Sequence, residues 1–292
     1  VTLCGDQTLK RQALDLLDKQ TKLYAHTVPR GAQTWEMPLH TPDILASAHM
    51  IRAYVYGYLL SNRAEYLVQA RYWAWTGVPF HYLENPTDQP IGPYATISVL
   101  GATSWKAPVW FGQPVQWCGL VYASALHSLA DYDPSGPWRK LARGISLAGM
   151  QMTWTEKDEA RQGLLPDYLH LRAQVSDGPA INPGTVGAHV FEAFGETRLY
   201  DMKRTRALPW FIHAPGKIAI LEDKQDQAIF QVKHAGKGRY HVLISGLTAK
   251  PSGIMIRQSS TEQWTILASA QHDPAGFTVL GLQGSPVVRI RR

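Results

Sequence analysis

Residues 41–80 read TPDILASAHMIRAYVYGYLLSNRAEYLVQARYWAWTGVPF, and this stretch sets the fold class. Ile44, Ala48, Ile51, Val55 and Leu59 recur at three- and four-residue steps, which places them on one face of a helix. Ahead of them, Thr41-Pro42-Asp43 offers a capping hydroxyl, a proline at the first helical position and an acid in the first turn. Ser61-Asn62 interrupts the run. Leu67, Ala70 and Ala74 then resume it, so the segment predicts a helical hairpin.

The same period extends outward on both sides. Upstream, Leu9, Ala13, Leu16 and Leu23 follow a capping Asp6 and predict a first helix. Downstream, residues 77–113 contain five prolines and no sustained period, which reads as a long ordered excursion. Val115, Gly119, Tyr122, Leu126 and Leu129 mark a fourth helix. Asp133-Pro134-Ser135-Gly136 turns the chain into a fifth, bearing Leu141, Ile145, Ala148 and Met152. Residues 157–206 are rich in Gly, Pro and charge and read as irregular. Beyond Trp210 the period becomes that of strands, at 217–221, 228–232, 239–245, 253–256, 263–270, 276–280 and 287–291, separated by glycine- and proline-bearing turns. Seven short strands in this span suggest a β-sandwich. The expected architecture is α+β, with a helical-hairpin domain over residues 1–206 and an antiparallel β-sandwich over 207–292.

Composition narrows the function classes. A hydrophobic content of 45% over 292 residues supports real cores, and no run reaches the length of apolar residues that spans a bilayer, so no membrane partner is expected. Residues 207–292 hold 10 Lys/Arg against 5 Asp/Glu, whereas residues 1–206 hold 19 against 18, so the net charge of +6 comes mostly from the carboxyl-terminal part. No basic block or nucleic-acid motif accompanies it, and no nucleic-acid partner is expected. Cys4 and Cys118 are too few for a zinc cluster; they either pair with each other or leave Cys118 as a small buried apolar residue. No phosphate loop, Gly-x-Ser-x-Gly elbow or His-Glu-x-x-His pattern is present, so neither a metal nor a cofactor is indicated. Val1 is compatible equally with a mature end left after processing and with a trimmed one; localisation stays open, with an extracellular or periplasmic setting favoured.

The segment 41–80 resembles the hairpins of the (α/α) toroid, or six-hairpin, superfamily of glycoside hydrolases and polysaccharide lyases. So does the stretch from Gln116-Trp117-Cys118-Gly119-Leu120 to Ala148-Gly149, and Gly163-Leu164-Leu165-Pro166-Asp167 looks like a loop of that class. The resemblance implies an oligo- or polysaccharide partner, a groove built from loops at one end of the helical array and an accompanying carboxyl-terminal sandwich. A complete toroid has more helices than the five readable here. The chain is then either part of a larger ring, completed by a preceding segment or a second chain, or an incomplete array closed by its own loops.

Within that frame, residues just before helix starts rank first. Trp35, Glu36 and His40 precede the 41–80 helix, and a carboxyl beside an aromatic ring suits a general acid because desolvation disfavours its charged form. Asp167 is the second carboxylate; turn aspartates often serve only the backbone. A hydrolase would use Glu36 and Asp167 as its acid and base pair. Tyr94, Trp105, Trp110 and Trp117 supply flat faces for sugar rings, with Gln113 and Gln116 as amide partners for hydroxyls. Asp43 has a sufficient explanation in the helix dipole, and His49 in packing. The alternative is a lyase acting on uronic-acid glycans by β-elimination, with Tyr94 or His40 as base and acid and Gln116, Asn182 or Arg172 neutralising the substrate carboxylate. A further alternative is a glycan-binding or scaffold protein without catalysis. Trp210 and Trp264 sit in strand-like settings and are expected to pack in the sandwich.

Overall fold

The computed structural model describes residues 1–31, 41–100, 110, 112–194, 198–234, 236–259 and 261–292. It is mixed α+β and separates into two compact units, Leu14–Ala193 and, together, Val1–Ala13 with Phe194–Arg292.

The first unit is built on α2 (Ile44–Ser61), α3 (Ala64–Gly77), α4 (Gln116–Ala130) and α5 (Trp138–Gln151). α2 and α3 form one hairpin and α4 and α5 a second, and α2 also packs on α4. α2 and α4 bury residues around most of their circumference, from Ile44 to Leu60 and from Gln116 to Leu129, as central helices do. α5 is one-sided, with Leu141, Ala142, Ile145 and Ala148 inward. Asn62 stops α2 in the left-handed conformation, φ 61°, its N–H returning to the Tyr58 carbonyl at 2.7 Å. The turn between α4 and α5 is closed by Asp133, which accepts from Arg71 of α3, Ser135 and the Trp138 indole. Burial alone would raise the Asp133 pKa, but these donors outweigh it and hold the carboxyl well below its usual range.

Two details depart from the sequence reading. The cap of α2 is Asp43, whose Oδ1 accepts the Leu45 N–H at 2.8 Å, because Pro42 is extended and bridged to Arg30. In α1 (Gln7–Tyr24), Leu9, Leu16 and Leu23 are exposed and Leu17 is the buried residue. The expected stripe is therefore the outer one.

Residues 157–206, expected to be irregular, contain a hairpin of β1 (Leu165–His170) and β2 (Val175–Ile181), the helix α6 (Pro183–Phe194) and β3 (Asp201–Arg204). Leu165, Leu169 and Leu171 pack with Leu120, Ala148, Met152 and Val186 in a small core that seats the hairpin on α4 and α5. Each fully buried leucine there contributes about 1.5–3 kcal/mol.

In the second unit, β3 pairs with β4 (Phe211–Ala214), so residues 201–204 join the sheet rather than the helices. The remaining strands are β5 (Lys217–Asp223), β6 (Gln227–Lys233), β7 (Arg239–Ser245), β8 (Gly253–Arg257), β9 (Thr265–Ile266), β10 (Gln271–Asp273), β11 (Phe277–Gln283) and β12 (Val287–Arg291). They form two five-stranded antiparallel sheets, ordered β10-β11-β7-β4-β3 and β5-β6-β12-β8-β9. Alternate residues of both sheets, among them Tyr240, Val242 and Ile244 of β7 and Phe230 and Val232 of β6, meet in one apolar core. The amino terminus belongs to this unit: the Thr2 carbonyl accepts from His213 Nε2 at 2.7 Å and from Ser245 Oγ. Trp210 lies in the core, whereas Trp264 is held between the Arg257 and Arg289 guanidinium groups, 4.6 and 3.9 Å from its ring. Cys4 is exposed and Cys118 buried, and they do not form a disulfide.

Candidate active site

A ribbon of single bridges gathers several segments at one end of the helical unit. Asp43 pairs with Val99, Ile97 with Pro114, and the Leu169 N–H donates to the Pro114 carbonyl at 2.9 Å. Since Asp43 precedes α2 and Pro114 precedes α4, both helices start at this end and β1 lies beside them. Two helix amino termini therefore face one region, an arrangement that favours carboxylates.

Asp167 is the best-defined polar group of that region. Trp117 Nε1 donates to its Oδ1 and Trp110 Nε1 to its Oδ2, each at 3.0 Å, and the two indoles meet edge to face with centroids 6.0 Å apart. The strand pairing slips here: Pro166 faces Ala180 while Tyr168 faces Asp177, so Gly178 and Pro179 together oppose Asp167. Such a bulge re-aims a side chain. Gly178 permits it, with φ at 76° and with the position of an added Cβ lying 2.8 Å from the Asp167 Cβ. The contrast with Asp133 is informative. Both carboxylates accept indole N–H groups, but Asp133 is also neutralised by Arg71, whereas no ion pair to Asp167 occurs among the described residues. Asp167 is oriented without being neutralised.

Cys118, in the first turn of α4, feels the charge of both this carboxylate and Asp43. Burial pushes its thiol well above the usual value, and Asp43 and Asp167 push it further in the same direction. Asp43 is fully buried, with one oxygen engaged by the Leu45 N–H. Two carboxylates thus share the neighbourhood of one inert thiol.

Behind them the polar groups serve the fold. Gln116 is 2% exposed; its Oε1 accepts the Thr96 N–H at 2.9 Å and its Nε2 donates to the carbonyls of Tyr94 and Ile145 at 3.1 and 2.9 Å. That amide is occupied by backbone and is not turned to a ligand. Gly119 brings Thr96 in, since a Cβ there would meet Thr96 Oγ1 at 2.1 Å. The same hydroxyl lies 2.9 Å from His81 Nδ1, and His81 stacks on Tyr122. Burial lowers the His81 pKa to about 3, so its ring is neutral.

The remaining sequence candidates separate as follows. Tyr94, at φ 61°, rests its ring on α5, where a Cβ at Gly144 would come within 2.7 Å of it. Trp110 is buried and Trp117 half-buried, and both are joined to Asp167 rather than scattered. Gln113 accepts the Leu171 N–H at 3.4 Å and lines a hollow with Arg172. Asn182 accepts the Gly184 N–H at 2.8 Å at the start of α6, so it is engaged locally. His49 is exposed, on α2. Trp35, Glu36, His40 and Trp105 lie outside the described residues. Among the described residues no three metal-ligating side chains converge.

A group not anticipated is Tyr168, His170 and Asp177 on the hairpin. His170 Nε2 and the Tyr168 hydroxyl lie 2.9 and 3.0 Å from Asp177 Oδ2. His170 first, then the Gly178 N–H and Tyr168, lower the Asp177 pKa to about 2. The usable signal was the alternation of Leu169 and Leu171 with Tyr168, His170 and Arg172, which has the period of a strand.

No protein-family model matches the chain, and no curated protein matches it.

Proposed function

We propose that this chain is a carbohydrate-active enzyme that hydrolyses glycosidic bonds, with Asp167 as the base or nucleophile of a carboxylate pair. The observation that carries the reading is the state of Asp167: aimed by a bulge, fixed through both oxygens by the Trp110 and Trp117 indoles, and facing no cation among the described residues. Indole N–H groups only donate, so they leave each oxygen a second lone pair for water or a sugar carbon. The proton donor of the pair is Glu36, which precedes the helix-start segment; Asp43 is fully buried and engaged as the cap of α2. Two hairpins whose α2 and α4 starts lie at one end also accord with the toroid-like scaffold that the sequence resembles. The lyase alternative draws less support, because Gln116 and Asn182, two of its three groups for the substrate carboxylate, are engaged by backbone.

The test is a screen on neutral and uronic-acid polysaccharides that records new reducing ends and, separately, ultraviolet absorbance of unsaturated products. Asp167→Asn is expected to lower turnover by about 10²- to 10⁴-fold with unfolding temperature maintained. Glu36→Gln is expected to match that loss, whereas Asp43→Asn, at the buried cap of α2, is expected to act on stability. Undiminished turnover in Asp167→Asn, or unsaturated products in place of simple hydrolysis, overturns the assignment.

A further inference from the structure

Residues 112–113 and 170–173, close in the chain to Trp110 and Asp167, wall a hollow of about 380 Å³ with Tyr82, Pro86 and Thr87 opposite, lined among others by Gln113, His170 and Arg172. That volume lies within the range of small-ligand sites, about 300–1,000 Å³. Its walls are tied before any ligand arrives. Gln174 sits in the left-handed conformation, φ 56°, at the β1–β2 turn. Its Oε1 accepts the Ile91 N–H at 2.9 Å, and its Nε2 donates to the Ile91 and Leu171 carbonyls at 3.1 and 2.5 Å. One side-chain amide therefore locks the turn that carries Arg172 onto the 82–92 segment opposite. That segment is braced in turn by Asn85, which donates to the Gln89 carbonyl at 2.8 Å and accepts the Thr87 N–H at 3.2 Å.

The charge in this hollow is one-sided. Arg172 is exposed and has no hydrogen bond or ion pair among the described residues, and no Asp or Glu is among the lining side chains. Asp177, the nearby carboxylate of the hairpin, is engaged by His170 and Tyr168. Gln113 uses its carbonyl oxygen on Leu171 and keeps its amide hydrogens for another acceptor. A guanidinium on a locked turn, with amide and hydroxyl donors around it, matches a carboxylate carried on a polyhydroxylated ring.

We propose that this hollow is the subsite for a uronosyl unit of the glycan, with Arg172 pairing its carboxylate and Gln113 and Thr87 reading its hydroxyls. The assignment rests on the glycan-hydrolase reading and narrows its substrate to acidic saccharides.

Binding is measured calorimetrically on the full chain carrying Asp167→Asn, so that turnover does not interfere. The probes are tetrasaccharides from polygalacturonate, alginate and hyaluronate, each paired with its methyl ester, which removes the charge and retains the ring. At least one free acid is expected to bind ten-fold or more tightly than its ester. Arg172→Gln should abolish that preference, a loss of about ten- to hundred-fold, and Arg172→Lys should restore part of it. Gln174→Ala, which unlocks the turn, should weaken the free acid while leaving the ester less affected. Raising salt should narrow the gap further. Equal binding of acid and ester in every pair, no binding by any probe, or a preference that survives Arg172→Gln overturns the subsite. Hydrolysis that depends on Asp167 but shows no acid preference would remove the subsite and retain the enzyme; an Arg172-dependent preference without Asp167-dependent hydrolysis would do the reverse.

Discussion

Acid should destabilise the helical unit through a single ring. His81 is enclosed between the Thr96 hydroxyl, 2.9 Å from its Nδ1, and the face of Tyr122, with no hydrogen-bond partner at Nε2 among the described residues. Burial lowers its pKa from 6.5 to about 3. The folded value lies below the unfolded one, so the stability this ring supports is fully present above pH 6.5 and is lost as pH falls toward 3. Linkage sets the size: the unfolded chain binds the proton first, and the loss attributable to His81 reaches about 2 kcal/mol at pH 5 and about 3 kcal/mol at pH 4. Carboxylates titrate over the lower part of that window, so the measurement is a difference. Urea unfolding of the wild type and of His81→Gln, followed by far-ultraviolet circular dichroism from pH 7 to pH 4, gives two curves of stability against pH. Gln cannot titrate, and the wild-type curve should be the steeper, by about 1.4 kcal/mol per pH unit below pH 5.5. Parallel curves would mean that His81 accepts a proton in the folded state at little cost, and the enclosed site described around it would be wrong.

Two further outcomes follow from the groups around the candidate site. Gln116→Ala leaves the Thr96 N–H and the Tyr94 carbonyl without this partner and removes a second donor from the Ile145 carbonyl inside α5; each buried orphan costs about 1–3 kcal/mol, so a loss of at least about 2 kcal/mol is expected by calorimetry. A loss under about 1 kcal/mol would show that water replaces the amide. Gly178→Ala places a Cβ 2.8 Å from the Asp167 Cβ at a φ of 76°, which should cost about 1–3 kcal/mol and displace Asp167 from its indoles. The readouts are unfolding temperature and the near-ultraviolet tryptophan bands, and an unchanged spectrum would refute the role given to the bulge.

The helices were legible because their signal is local. In residues 41–80 the apolar period and the Asn62 break act within one or two turns and the structure follows them, with Asp43 serving as the cap rather than as a first-turn acid. The period was ambiguous in α1, where leucines occupy both faces: the seven-residue spacing of Leu9, Leu16 and Leu23 marks a face as clearly as Leu17 does, and only packing chooses Leu17. The β1–β2 hairpin was hidden for a related reason. Pro166, Gly178 and Pro179 depress strand propensity where the bulge lies, so the feature that aims Asp167 is also what made its strand look like loop.

The candidate site divides along the same line. Asp167, Trp110 and Trp117 were each visible as residue types suited to a sugar site, but their union is tertiary: the indoles come from before and within α4, and the carboxylate from a strand some fifty residues later. Gln116 shows the converse. It is polar, beside a tryptophan and at a helix start, which is how a ligand-reading amide looks in sequence, yet the crossing 94–96 segment and the Ile145 carbonyl of α5 take its hydrogen bonds. A helix start that must also anchor a crossing segment has its first-turn amide engaged by backbone. The carboxylate at this end comes instead on β1, an element that approaches from outside the two helix starts, and meets there the Trp117 indole of α4.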